Sequence, residues 1–184
     1  MVMWIMRRGA LLLALLGGTA AARPPEGARA IIDRPVAIVG NTPVWKSEVD
    51  DMRRASKAGP DPAVTQRIID DLIEQHMMLQ AADEAGITSS DAEVDGAIGE
   101  IEKQNNVTDV QLDTALADAG MTRAKYRVEL AHQIKLEKWM QLTLASKLPV
   151  HASENSDEFS RELDAARRAW VEDRKKMVHI ERRQ

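Results

Sequence analysis

The stretch Pro35 to Asp50, PVAIVGNTPVWKSEVD, constrains the fold more than any other part of the chain. Val36, Ile38, Val44 and Trp45 give two short segments the β-branched and aromatic bulk of strands, and Gly40-Asn41 between them is a turn signal. Ser47 followed three residues later by Asp50 has the spacing of a capping box with a shortened acid, so a helix is expected from Glu48 to about Ala58. A two-stranded hairpin is marginally stable in water by itself. It needs a partner from elsewhere in the chain.

The residues ahead of the hairpin speak to destination rather than to fold. Arg7-Arg8 precedes a short apolar run, Ala10 to Leu16, and small residues follow, with Ala20 and Ala22 at the positions a signal peptidase requires. This pattern predicts a secretory signal peptide over residues 1–22, cleaved after Ala22, with Met1, Met3 or Met6 as the start. The run is short for a membrane span, so no stable membrane insertion is expected after cleavage. Residues 23–34, opening Arg23-Pro24-Pro25-Glu26-Gly27, read as a flexible spacer. Losing residues 1–22 removes two arginines and no acid, which leaves 23 basic residues against 29 acidic ones, a net charge of −6. A negative exported chain lacks the basic footprint that nucleic acid requires. Cysteine is absent, which removes disulfides, thiol nucleophiles and cysteine metal sites together.

Capping signals then divide the body of the chain into helices. Asp61-Pro62 places an N-cap before a proline at the first helical position, opening a helix to about Ala85 with Gly86 beyond it. Val64, Ile68, Leu72 and Leu79 form one apolar line on it, and Ile69, Ile73 and Met77 a second. Ser90-x-x-Glu93 starts a helix carrying Val94, Ile98 and Ile101, which ends at Asn105-Asn106. Thr108-x-x-Gln111 starts a short one with Leu112 and Leu116, closed by Gly120. Thr122 opens a long helix to about Lys147, stopped by Pro149. Phe159, Leu163, Ala166 and Trp170 sit at helical spacing near the end, with Asp164–Arg168 and Glu172–Lys176 at the favourable four-residue offset.

Met177 to Arg182 alternates apolar and polar residues and reads as a short strand. It is the one convincing strand outside the hairpin. A mainly α architecture follows, with a small antiparallel sheet formed by the N-terminal hairpin and the C-terminal strand. Val36, Ile38, Val44, Val178 and Ile180 are the expected clasp between the two ends of the chain. Residues 35–149 form the helical domain on this reading, and residues 150–184 complete it.

Several collinear features resemble the SurA N-terminal domain family of periplasmic chaperones. Ile31-Ile32-Asp33-Arg34 leading into VAIVGNTPVWKSEVD is similar to that family's opening. Ile68 to Leu79, IEKQNNVT from Ile101 to Thr108, Gly120-Met121 and Tyr126-Arg127 follow in the family's order and spacing, so the likeness covers about Ile31 to Pro149. Trp170, Arg174 and Val178-His179-Ile180 resemble the family's C-terminal helix and returning strand. SurA proteins carry parvulin isomerase domains between these two parts, whereas here a few polar residues intervene. In a competing alignment, His179-Ile180 begins a parvulin domain that the chain does not continue. The resemblance implies an ATP-independent periplasmic chaperone without isomerase activity, binding unfolded or nascent envelope proteins, outer-membrane β-barrel precursors among them. The alternative is an envelope assembly subunit for one dedicated folded partner.

No residue pattern points to catalysis, a metal or a cofactor. His76, His132, His151 and His179 are scattered, and Glu129-x-x-His132 is half of a carboxylate-bridged metal motif without a second copy. His76 lies between Leu72 and Leu79 and reads as a packed histidine. Neither a nucleophile elbow nor a phosphate-binding glycine loop is present. The resemblance directs attention to adaptable apolar side chains, which fit many clients without one fixed geometry. Met77, Met78, Met121, Tyr126, Trp139 and Met140 are the client-binding candidates, although each methionine taken singly reads as ordinary core.

Overall fold

The computed structural model describes residues 33–57, 59–148 and 157–183. The expected signal peptide, the spacer as far as residue 32 and the stop at Pro149 lie outside the described residues. The hairpin is formed by β1 (Pro35–Val39) and β2 (Thr42–Trp45), joined by the two-residue turn Gly40-Asn41. Gly40 has φ +59°, and a positive φ at the first central position is what a type II′ hairpin turn asks of glycine. The missing partner is β3 (Ile180–Arg182), antiparallel to β1 with Ala37 opposite Arg182, Ile38 opposite Glu181 and Val39 opposite Ile180. The sheet order is β2-β1-β3, so the first strand lies in the middle and the last at an edge. The strand is shorter than expected, because Met177 is largely exposed and the ladder begins beyond it.

The helices are α1 (Lys46–Ala55), α2 (Pro62–Glu84), α3 (Asp91–Asn105), α4 (Asp109–Asp118), α5 (Arg123–Thr143) and α6 (Asp157–Lys175), with a 3-10 turn at Ala145–Lys147. The start of α1 corrects the expected cap. Glu48, not Asp50, reaches back to the N–H of Trp45 at 2.6 Å, while the N–H of Ser47 donates to Asp33 at 3.1 Å and its hydroxyl donates to the same carboxylate. Asp50 instead pairs with Lys46 one turn back. The helix begins at Lys46 with Trp45 at the N-cap, so Glu48 occupies the third helical position and Ser47 lies inside the first turn. Elsewhere the caps are those the sequence names: Asp61, Ser90 with Glu93, and Thr108 with Gln111. On α6 the pairs Glu172–Lys175 and Asp173–Lys176 close at three residues rather than four, and Arg167 approaches Asp164 at the same offset.

The chain divides into two compact units, with the boundary inside α5. The helical unit is Ser89–Ile134. Its core is Val94, Ile98 and Ile101 from α3, Leu112 and Leu116 from α4, and Tyr126, Leu130 and Ile134 from α5. Its turns close by the same device: the N–H of Val107 bonds to Glu102 and that of Met121 to Leu116, each just past a left-handed residue, Asn106 and Gly120.

The sheet unit is Ile32–Thr88 with Lys135–Gln184. One cluster lies under the sheet, where Val36, Ala37, Val39 and Val44 meet Val49 of α1, Ile68, Leu72, Ile73 and Met77 of α2, and Val171 of α6. A second joins Met78, Ala81 and Ala82 to Leu136, Trp139, Met140 and Leu144. The apolar lines expected on α2 are both in use, and α2 and α6 serve both clusters, α6 through Trp170.

Candidate functional site

The clasp is built from main chain first. Beyond the three paired residues, the N–H of Gly40 donates to the carbonyl of His179 at 2.9 Å and that of Arg183 donates to the carbonyl of Val36 at 2.8 Å. Val36 and Val44 are buried, whereas Ile38, Val178 and Ile180 are half-buried and, of these, Val178 and Ile180 pack against the cluster under the sheet. The turn is held from outside as well. Gln80 of α2 donates from one amide nitrogen to the carbonyl of Val39 at 2.8 Å and to the hydroxyl of Thr42 at 2.9 Å.

Ion pairs fasten the C-terminal segment to α2. Arg167 and Lys175 both reach Glu74, at 3.2 and 3.3 Å; Arg174 meets Glu84, and Arg182 meets Asp70 at 2.6 Å. Exposed pairs of this kind contribute about 0–1 kcal/mol each. Val171, fully enclosed, and Trp170 carry more of the attachment. Trp170 meets Trp139 edge to face, with ring centroids 4.6 Å apart, a geometry that adds to simple area burial.

Two polar groups show how the site is tuned. Burial acts to raise the Glu48 carboxyl, but hydrogen bonds from His76 at 3.1 Å and from the Trp45 N–H outweigh it and hold the group below its ordinary value. His76 is therefore a packed histidine tying α2 to α1. In the helical unit burial raises Glu102, and the neighbouring Asp109 raises it further against the pull of Arg123. Arg123 also binds Asp109 and Asp113, so three carboxylates share one guanidinium.

The six candidate side chains are not gathered in one place. Met78, Trp139 and Met140 meet in one cluster of the sheet unit, and Met77 lies in the cluster under the sheet. Tyr126 is core in the helical unit, where burial raises its phenol, and Met121 packs half-buried beside it. Five of the six are buried. Among the described residues the exposed large apolar ones are others: Trp45, Val110, Val128, Leu142 and Met177. No composition rule would have chosen them, because single exposed apolar residues are ordinary on protein surfaces.

A cavity of about 290 Å³ opens in the sheet unit between Asp70 and Ile73 of α2, Lys175 of α6, and Ile180 and Arg182 of β3. Two isoleucines and three charged side chains line it, and its volume suits one side chain of a larger ligand. Nothing in the sequence marks it, since its wall is assembled from residues more than a hundred positions apart. Among the described residues no group of three or more histidines and acids is arranged to hold a metal ion, and no helix is long and apolar enough to cross a membrane.

The model of the family described as SurA N-terminal domain matches residues 32–139. Chaperone SurA of Nitrosospira multiformis is 31% identical over 152 residues, which are 77% of this chain and 34% of that protein. Chaperone SurA of Cupriavidus metallidurans is 30% identical over 133 residues, 67% of this chain and 27% of its own. The chain thus spans about a third or less of the curated relatives it matches. A solved structure of SurA-like chaperones from Campylobacter jejuni aligns with a TM-score of 0.47 at 20% identity, covering 71% of this chain and 50% of that one.

Proposed function

Because the chain belongs to the SurA N-terminal domain family, we propose that it is a chaperone core of the periplasm that binds unfolded or partly folded envelope proteins without ATP. Outer-membrane β-barrel precursors are the proposed clients, and the signal peptide over residues 1–22 is the proposed route of export. The observation that carries the reading is the family match over residues 32–139, most of the folded body. Two further features support it. The C-terminal strand pairs with the first strand of the hairpin, which supports counting the C-terminal segment with the hairpin's domain. Between the 3-10 turn and α6 there is far too little chain for an inserted isomerase domain.

The six candidate side chains enter the proposal as a latent surface. Five are core in this arrangement, and they meet a client only when the packing over them opens. The test is direct binding of a fluorescently labelled, urea-denatured β-barrel protein to the purified mature chain, without nucleotide. Saturable binding, with proline-peptide isomerisation at background, is the expected result. Absence of binding to any unfolded chain, with capture of one stoichiometric folded partner, would replace the reading with the assembly-subunit one.

A further inference from the structure

The two edges of the three-stranded sheet differ. At the β2 edge, Val39 opposite Thr42 closes the two-residue turn, so the next position, Pro43, turns its nitrogen outward. Proline has no N–H, and an outward proline is a device that blocks further strand pairing. The ladder between β1 and β2 also shifts register between Pro35 and Ala37, which interrupts regular pairing at the far end of β2.

The β3 edge carries no such block. His179 and Arg183 bond toward β1, so with strict alternation Ile180 and Arg182 direct their N–H and C=O groups to the outer side. Among the described residues no main-chain hydrogen bond reaches them from that side. The cavity lined by Ile73 and Ile180 opens beside these same two residues.

We propose that the outer edge of β3 accepts an extended segment of an unfolded client as a fourth strand, with one client side chain seated in this cavity. The inference rests on the chaperone reading above and gives it a binding mode. Only an extended backbone satisfies a row of alternating donors and acceptors, which is how strand addition gains affinity without sequence demands. Size argues against a second copy of this chain as occupant: two three-residue edges share only a few main-chain hydrogen bonds, far less contact than a stable dimer needs, whereas a transient hold on one client segment needs no more.

Proline at position 182 isolates the claim, because the Arg182 N–H faces outward and its loss spares the ladder to β1. The probe is a labelled peptide of about ten residues, the length of a barrel strand, alternating Tyr or Val with Thr. Arg182→Ala, which loses the side chain and its ion pair with Asp70 but keeps the N–H, is the reference; Arg182→Pro binds about tenfold more weakly than Arg182→Ala. In wild type the amides of Ile180 and Arg182 become protected from hydrogen exchange when peptide is added, a readout that holds even where the proline variant folds poorly. Equal binding by Arg182→Pro and Arg182→Ala, or unprotected amides, overturns strand addition while binding of denatured protein still upholds the chaperone reading. A peptide-free dimer abolished by Arg182→Pro also overturns it, in favour of self-pairing. Loss of both peptide and denatured-protein binding in wild type overturns the two together.

Discussion

The helical unit and the sheet unit are assembled in opposite ways. Ser89–Ile134 is one continuous stretch in which α3 and α4 are each started by their own cap, stopped by their own left-handed residue and packed on their neighbours in sequence. The sheet unit collects two separate stretches, and the ion pairs that fasten its C-terminal segment to α2 join residues 90 to 112 positions apart. Contacts that close long loops repay their entropy cost only when many form together. Stability in the helical unit is therefore spread over local signals. In the sheet unit it is concentrated in a few long-range contacts, and single lesions there cost more.

The largest effect should come from Trp139→Ala. It empties the centre of the second cluster and removes the edge-to-face contact with Trp170, at a cost of about 3–5 kcal/mol in urea unfolding. A cost below about 1 kcal/mol would break the picture of a concentrated core. Deleting Met177 to Gln184 comes next, because it strips β1 of its second partner and uncovers the cluster under Val178 and Ile180. A loss of about 2–3 kcal/mol is expected, seen as a lower Tm, with amide protection in the helical unit unchanged. Ser90→Ala and Thr108→Ala should each cost about 1 kcal/mol and show their effect in the helical unit.

Acid should act on the two units with opposite sign. Glu48 is held below its ordinary value of 4.5, so its contribution is present above that pH and is lost as pH falls through the depressed folded value. Glu102 is raised above 4.5, so its ionised form is disfavoured in the fold, and protonation on mild acidification relieves the helical unit. Glu48→Gln should flatten the acid loss in the sheet unit, and Glu102→Gln should remove the gain in the helical unit. Residue-resolved amide exchange between pH 7 and 4 separates the two.

The same contrast explains how much of the fold was legible in the sequence. Ser90, Thr108, Asp61, Gly86 and Gly120 mark helix ends within one or two residues, because a cap acts on its own neighbours. The pairing of β3 with β1 was also legible, since the hairpin demanded a partner and one other strand was on offer. What stayed hidden depends on distant neighbours. The first helix starts at Lys46 rather than at Glu48, with Glu48 in place of Asp50 in the cap, and Ser47 donates to Asp33 from 14 residues away. Val171, not Trp170, is the most enclosed residue of α6, and Gln80 holds the β-turn from 38 to 41 residues away. For the candidate site the sequence could select only by residue type. Methionine and aromatic side chains serve a core and a client surface equally well, and accessibility, which separates them, is a tertiary property.

Light scattering from a urea-denatured β-barrel protein diluted into buffer tests the central claim most directly. With the mature chain present in about equimolar amount and no nucleotide, the account predicts that scattering is suppressed and the barrel protein stays soluble and unfolded. Scattering that rises as fast as in the absence of the chain, at every ratio tried, would contradict it.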